Sequence, residues 1–140
     1  MSRSEALTDE DRLAWLITLR KLILKWPLYD MPKKSYVLAC SALKVYYRQI
    51  LNGQFDNDLK INPLGNTTDR IIFVILNGDQ NIIQQRLLNR KGHFMPPSLL
   101  QSQFETLELS EKSEPNILLI DVNKSILEIA QEILSHIKNF

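Results

Sequence analysis

Two basic residues, Lys44 and Arg48, follow an apolar run in the stretch "YVLACSALKVYYR". If a helix begins after the run, positions four residues apart lie on the same face. Arginine has a planar fork that matches carboxylate or phosphate oxygens, whereas lysine acts as a compact point charge. The spacing therefore predicts an anion site at this pair. The alternative, a solvated face of an amphipathic helix, stays open.

Arg86 and Arg90 repeat the four-residue spacing just before "KGHFMPP". Two such pairs in one small domain indicate a polyanionic ligand, although a solvated helix face remains the stronger explanation for Arg86. The stretch around residues 90–108 then breaks the rhythm of strands and helices with a basic segment, a proline pair and a short helix from about Ser98. Insertions of this kind often close over a ligand and exclude water. We expect either such a lid or a simple connection between helices.

Other chemistry has weaker support in the sequence. Cys40 at the end of the apolar run could be a nucleophile, but a small buried cysteine is the more common case. Ser41 lacks the Gly-x-Ser-x-Gly surroundings of a hydrolase elbow. His93 and His136 are the only histidines and Cys40 the only cysteine, so no zinc set and no other metal site is predicted.

The apolar pattern predicts an α/β fold. Helices are expected from the Thr8 cap to Pro27, over "ALKVYYRQILNG", from Asp79 to Gly92, and over "SILEIAQEILSHIKNF". Three continuous apolar runs, "SYVLAC", "RIIFVIL" and "PNILLID", are typical of buried strands, and residues 54–69 of a surface loop. Alternating strands and helices indicate a parallel sheet with helices on both faces. Ligands of such sheets bind at the carboxyl ends of the strands.

Length and composition restrict the class of protein. A chain of 140 residues fits one domain, residues 1–140, and a net charge of +1 argues against a nucleic-acid partner. The single cysteine favours a reducing compartment, and no apolar run is long enough to span a membrane. We therefore expect a cytoplasmic protein. The sequence leaves open whether it forms a homodimer.

Three stretches closely resemble the gluconokinase family of small sugar-acid kinases. They are "LTDEDRLAW", "VLACSALKVYYR" and "RLLNRKGHFMPPSLLQSQFETLE", and the similarity covers nearly the whole chain except residues 54–69. The resemblance implies a P-loop kinase fold related to nucleoside-monophosphate kinases, with three strands of its sheet present and a mobile lid. It also implies ATP-dependent phosphorylation of D-gluconate to 6-phospho-D-gluconate, with magnesium required.

The same resemblance assigns roles to individual residues. Ser41, Lys44 and Arg48 would lie on the acceptor side, where the two cations could hold the gluconate carboxylate. Phosphates of ATP would be met by basic residues of the lid region, namely Arg86, Arg90, Lys91 and His93.

One feature of these kinases is not found in the sequence. Phosphoryl transfer of this type uses a G-x-x-x-x-G-K-[ST] loop, whose amides cradle the phosphates. The four glycines, Gly53, Gly65, Gly78 and Gly92, are too far apart to form one. The family's P-loop and its acidic base are expected upstream of the segment that Met1 matches, so no catalytic residue is assigned. We predict that the 140 residues alone are inactive. The alternative is a non-catalytic isoform that binds gluconate or a complete subunit.

Overall fold

A computed structural model describes residues 7–25, 35–55, 71–92, 96–109 and 114–138. These residues fall into two compact units: an amino-terminal unit, Leu7–Ile71, and a carboxyl-terminal unit that contains the residues from Ile72 onward. The prediction of a single domain stays a prediction. Most of the predicted loop 54–69, together with Pro27 and His93, lies outside the described residues. Within the described helices, none is long and apolar enough to cross a membrane.

The amino-terminal unit contains two helices that pack against each other, α1 (Asp9–Lys25) and α2 (Val45–Asn52). The predicted start of α1 is confirmed. The Thr8 hydroxyl and amide both donate to Asp11 Oδ2, at 2.7 and 2.9 Å, and the Asp11 amide donates back to Thr8 Oγ1 at 3.2 Å. This capping box satisfies amides that have no partner inside the helix.

The predicted end of α2 at Gly53 is also confirmed. Gly53 has a φ of 79°, which is the left-handed conformation that commonly ends a helix. The Arg20 guanidinium of α1 reaches across and donates to the Leu51 carbonyl at 2.9 Å. A Cβ at position 53 would lie 2.2 Å from Arg20 Nη2, so glycine is required for both backbone and space. Burial lowers the pKa of Arg20.

The strand predicted for "SYVLAC" is not observed. Residues 35–43 have no regular secondary structure, and the Val37 side chain is 95% exposed. A strand forms only as part of a hydrogen-bonded ladder, and the sheet within the described residues consists of two other strands. An apolar run by itself therefore did not identify a strand. The predicted third strand is corrected to an irregular segment.

The carboxyl-terminal unit contains a parallel pair of strands, β1 (Phe73–Asn77) and β2 (Ile117–Asp121). Three helices accompany them: α3 (Gln80–Leu88), α4 (Pro97–Thr106) and α5 (Ile126–Ile137). The α3 and α4 helices pack together, and α5 packs against β2. This arrangement confirms the predicted parallel α/β class, the two strands, and the short helix after the proline pair.

Helix α5 begins with a second capping box. The Glu128 amide donates to Ser125 Oγ at 3.2 Å, and the Ser125 amide donates to the Glu128 carboxylate at 2.8 Å. Hydrogen bonding of the Glu128 carboxylate to the Ser125 hydroxyl, and then to the Ser125 amide, lowers the pKa of Glu128. The helix is strongly amphipathic, as the sequence indicates, but none of its residues is buried. Ile126 is 87% exposed.

Candidate functional site

The amino-terminal unit places three charged residues around one aromatic side chain, that of Tyr47. Lys44 Nζ donates to both carboxylate oxygens of Asp9, at 2.8 and 2.7 Å. The Tyr47 hydroxyl donates to the same carboxylate and accepts from Arg12 Nη1 at 3.1 Å. We call Asp9, Arg12, Lys44 and Tyr47 the Tyr47 cluster.

Electrostatic interactions connect the members of the Tyr47 cluster. The Lys44 ammonium and the Arg12 guanidinium lie 5.6 and 5.7 Å from the centre of the Tyr47 ring, a distance at which cations are attracted to the aromatic face. The hydrogen bond from Lys44 and then that from Tyr47 lower the pKa of Asp9. Two cations face one carboxylate, so the cluster carries one excess positive charge.

Access differs among the members of the Tyr47 cluster. Tyr47 is buried, whereas the side chains of Lys44 and Asp9 are 29% and 55% exposed. The Tyr47 ring is therefore held in place by its surroundings, whereas the charged groups of Lys44 and Asp9 are accessible to a dissolved anion. The charges of Lys44 and Arg12 attract a small carboxylate or phosphate, and the Asp11 carboxylate, which interacts with Arg12, partly offsets this attraction.

Arg48 occupies a different environment. Its side chain is 0% exposed, and Nη1 donates to the Ala42 carbonyl at 2.7 Å and to the Leu43 carbonyl at 3.1 Å. Ala42 has a φ of 35°, a positive value that L residues rarely adopt. The Arg48 guanidinium therefore stabilises the strained turn at Ala42 by donating to two of its backbone carbonyls. Ser41, the predicted binding residue at this turn, is exposed.

The helical spacing predicted that Lys44 and Arg48 present their charges to one spot. In the structure the two side chains contact different parts of the unit. Lys44 precedes α2 with extended backbone, at φ −94° and ψ 149°, so the four-residue rule of helix faces does not apply to it. Its ammonium reaches α1 while Arg48 points into the turn. The assignment of Arg48 as a direct ligand stays a prediction; among the contacts of its side chain are two with backbone carbonyls.

In the carboxyl-terminal unit, the carboxyl ends of the two parallel strands meet. Asn77 and Asp121 are paired at the ends of β1 and β2, and the Val122 amide donates to the Asn77 carbonyl at 2.8 Å. A Cβ on Gly78 would lie 2.3 Å from a methyl carbon of Val122, so only glycine allows this close approach. Asp79 then caps α3 by accepting from the Asn81 amide at 2.8 Å.

The described basic residues that the resemblance assigns to the lid, Arg86, Arg90 and Lys91, lie around the end of α3. Arg86 lies in its last turn, is exposed, and donates to the Lys124 carbonyl at 3.2 Å. Because α3 ends at Leu88, Arg90 follows the helix and does not share a helical face with Arg86. Arg90 and Lys91 are exposed in the following turn, and His93 lies outside the described residues. Their predicted contact with phosphates stays a prediction.

Cys40 has the character of a structural thiol. It is half-buried, and burial raises its pKa, which lowers the thiolate fraction at neutral pH. The sequence left a nucleophilic role open as the less common case. A backbone hydrogen bond from Ala42 lowers the pKa of the thiol, but burial has the larger effect.

The chemistry of a bound metal–nucleotide pair is not supplied by the residues that the structure describes. Among them no group of three His, Cys, Asp or Glu side chains could hold a metal ion. The sequence likewise contains no glycine-rich loop of the P-loop type. Because the sequence contains no P-loop, the described residues do not form the phosphate cradle of a magnesium–triphosphate site, and we derive no step through it.

Sequence reasoning missed three members of the Tyr47 cluster: Asp9, Arg12 and Tyr47. Asp9 and Arg12 stand three residues apart at the start of α1, and Tyr47 follows Lys44 by three residues. A signal was present, because both stretches belong to those that carry the family resemblance. The contact between Asp9 and Lys44 could not be predicted from spacing, because the two residues are 35 positions apart in the sequence.

Comparison with known proteins gives a consistent result. A mouse protein named "Probable gluconokinase" is 42% identical over 144 residues, which cover 99% of this chain and 75% of that protein. The crystal structure of a gluconokinase from Sinorhizobium meliloti superposes with a TM-score of 0.67 at 35% identity, covering 93% of this chain and 63% of that one.

The structure of a sugar kinase from a Janibacter species superposes with a TM-score of 0.72 at 33% identity. That match covers 96% of this chain and 68% of the other. No protein-family model matches the chain. The relatives confirm the family resemblance that the sequence motifs indicated.

Proposed function

Because this chain belongs to the gluconokinase family, we propose that it serves in the ATP-dependent phosphorylation of D-gluconate to 6-phospho-D-gluconate. The observation that supports this most directly is the similarity over 99% of the chain to a protein named as a probable gluconokinase. The excess positive charge of the Tyr47 cluster is consistent with a carboxylate-bearing acceptor.

The proposal divides the chain by role. Ser41 and Lys44 lie on the acceptor side, with the Lys44 ammonium as the direct partner of the gluconate carboxylate. Arg48 belongs to the same side, and its bonds to the Ala42 and Leu43 carbonyls shape the turn that carries Ser41. In the other unit, Arg86, Arg90, Lys91 and His93 belong to the lid that meets the phosphates of ATP.

ATP and magnesium are the co-substrate and cofactor of the proposed reaction. The 140 residues contain no P-loop, so the amides and lysine that stabilise the transferring phosphoryl group are missing from them. Loss of one comparable electrostatic donor lowers the rate by about 10²–10³-fold. We therefore propose that these residues bind the acceptor and do not transfer phosphate by themselves. The reaction is placed in the cytoplasm, where ATP is available.

The test is gluconate-dependent production of ADP with ATP and magnesium, measured for the 140-residue chain and for a version preceded by a P-loop segment from a family member. Turnover by the extended version alone, abolished by Lys44→Met in that version, supports the proposal. Equal turnover by the short chain would show that another phosphate cradle exists. No turnover with gluconate by a folded extended version, together with turnover on another sugar acid, would overturn the assigned acceptor.

The second candidate is a non-catalytic protein that binds gluconate. The absence of a P-loop motif from the 140 residues favours it. Calorimetric titration of the short chain with gluconate distinguishes it from a protein without any acceptor site.

A further inference from the structure

The Tyr47 cluster already holds a carboxylate, that of Asp9. Both of its oxygens accept from Lys44, and one also accepts from the Tyr47 hydroxyl. A sugar acid presents the same chemical group to the same donors. The structure thus shows how a carboxylate binds in this place, with a residue of the protein as the occupant.

We propose that Asp9 is an internal competitor for the acceptor's carboxylate, which replaces it on Lys44 and Tyr47 when the sugar acid binds. The ligand class is a small aliphatic monocarboxylate with hydroxyl groups along its chain. This inference rests on the proposed function, since it concerns the acceptor site of the same reaction.

Three features of the cluster support exchange. The Asp9 side chain is 55% exposed, so it can swing into water without burying its charge elsewhere. The donors are fixed, because the Tyr47 ring is buried between two cations. Arg12, which donates to the Tyr47 hydroxyl, supplies a second positive charge beside the exchanging groups.

Helix α1 does not depend on Asp9 for its start. The Thr8–Asp11 capping box satisfies the first amides of α1 without it. Asp9 can therefore be changed without removing the cap. Within the described part of the chain, the hydrogen bonds of the Asp9 side chain all lie in the Tyr47 cluster, so its substitution tests that cluster directly.

The test compares Asp9→Asn with the parent chain in calorimetric titrations with D-gluconate. Asparagine keeps the shape and one acceptor oxygen but removes the charge that competes for Lys44. One unit charge at about 4 Å in water is equivalent to about a five-fold change in affinity. We expect the Kd for gluconate to fall by about five-fold at low salt, and the gain to shrink as salt is raised to about 1 M.

Glu10→Gln is the matched control. Glu10 is exposed in the same turn of α1 and loses the same charge, but it has no contact with Lys44 among those described. We expect its Kd to stay within about two-fold of the parent value. D-Glucitol, which lacks the carboxylate, should gain nothing from Asp9→Asn. Circular dichroism confirms that both variants retain their helices.

The outcomes separate the two proposals. Tighter gluconate binding by Asp9→Asn, without the same gain in Glu10→Gln, supports exchange. If the parent chain binds gluconate and Asp9→Asn binds equally or more weakly, Asp9 positions Lys44 and does not compete; exchange is overturned and the proposed function stands. If neither chain binds gluconate, exchange is also overturned, and turnover by the extended version decides the proposed function independently.

Discussion

The buried Arg48 allows the sharpest prediction about stability. Its guanidinium is fully enclosed and donates to two backbone carbonyls, those of Ala42 and Leu43, at 2.7 and 3.1 Å. Arg48→Met keeps an unbranched side chain in the space but removes every donor. The carbonyls then lose a charged partner in a place that water reaches poorly.

The magnitude follows from these two bonds. A hydrogen bond that involves a charged group contributes about 1.5–3 kcal/mol, and methionine recovers part of the loss through apolar packing. We therefore expect the free energy of unfolding to fall by about 3 kcal/mol, a large fraction of the total for a small domain. With a urea slope of about 2 kcal/mol per molar, the midpoint should fall by about 1.5 M.

Urea titration followed by tryptophan fluorescence and by circular dichroism measures this change. Arg90→Met is the control, because Arg90 is exposed after α3, and its unfolding free energy should change by less than about 0.5 kcal/mol. If Arg48→Met is as stable as the parent and still binds gluconate normally, Arg48 neither supports the turn nor holds the ligand. Normal stability with lost binding would instead favour the direct role that the spacing suggested.

Three further predictions concern local features. Gly78→Ala should destabilise the chain by about 1–3 kcal/mol in urea titration, since its methyl group meets Val122, and adding Val122→Ala should recover part of that loss. Cys40 should react with iodoacetamide at pH 8 more slowly than free cysteine, because burial raises its pKa; an equal rate would contradict this. The Glu128 pKa is below its ordinary 4.5, so its contribution to stability should be complete above that pH and lost as the pH falls through the folded value. Ser125→Ala should flatten this acid dependence, and an unchanged profile would refute the capping interpretation.

The sequence predicted the ends of helices reliably, because these depend on residues that are close together in the chain. Thr8 and Asp11 are three residues apart and form the predicted capping box, and Gly53 adopts the left-handed conformation that ends α2. The two strands that pair in parallel were also recognised from their apolar runs. In the two helix ends the residues that determine the structure are close together in the chain, whereas β1 and β2 were recognised although their partners are distant in sequence.

Signals that depend on a distant partner were less reliable. "SYVLAC" has the composition of a strand, yet residues 35–43 form none, since composition does not specify a neighbouring ladder. The helix predicted for the last segment is observed as α5 and is amphipathic, but its Ile126 is 87% exposed. Periodicity identifies the face that a helix can bury. It does not identify what covers that face.

The same distinction governs the candidate site. The sequence grouped Lys44 with Arg48 because both are cations at helical spacing, but a charge can bind a dissolved ligand only where water reaches it. Burial separates the pair: Lys44 is 29% exposed beside Asp9, whereas Arg48 is enclosed against the turn that it supports. The residues that join Lys44 come from the other helix, α1. Exposure therefore adds information that residue type lacks: it favours Lys44 over Arg48 as a direct partner of a dissolved anion, and the binding roles of both residues stay predictions.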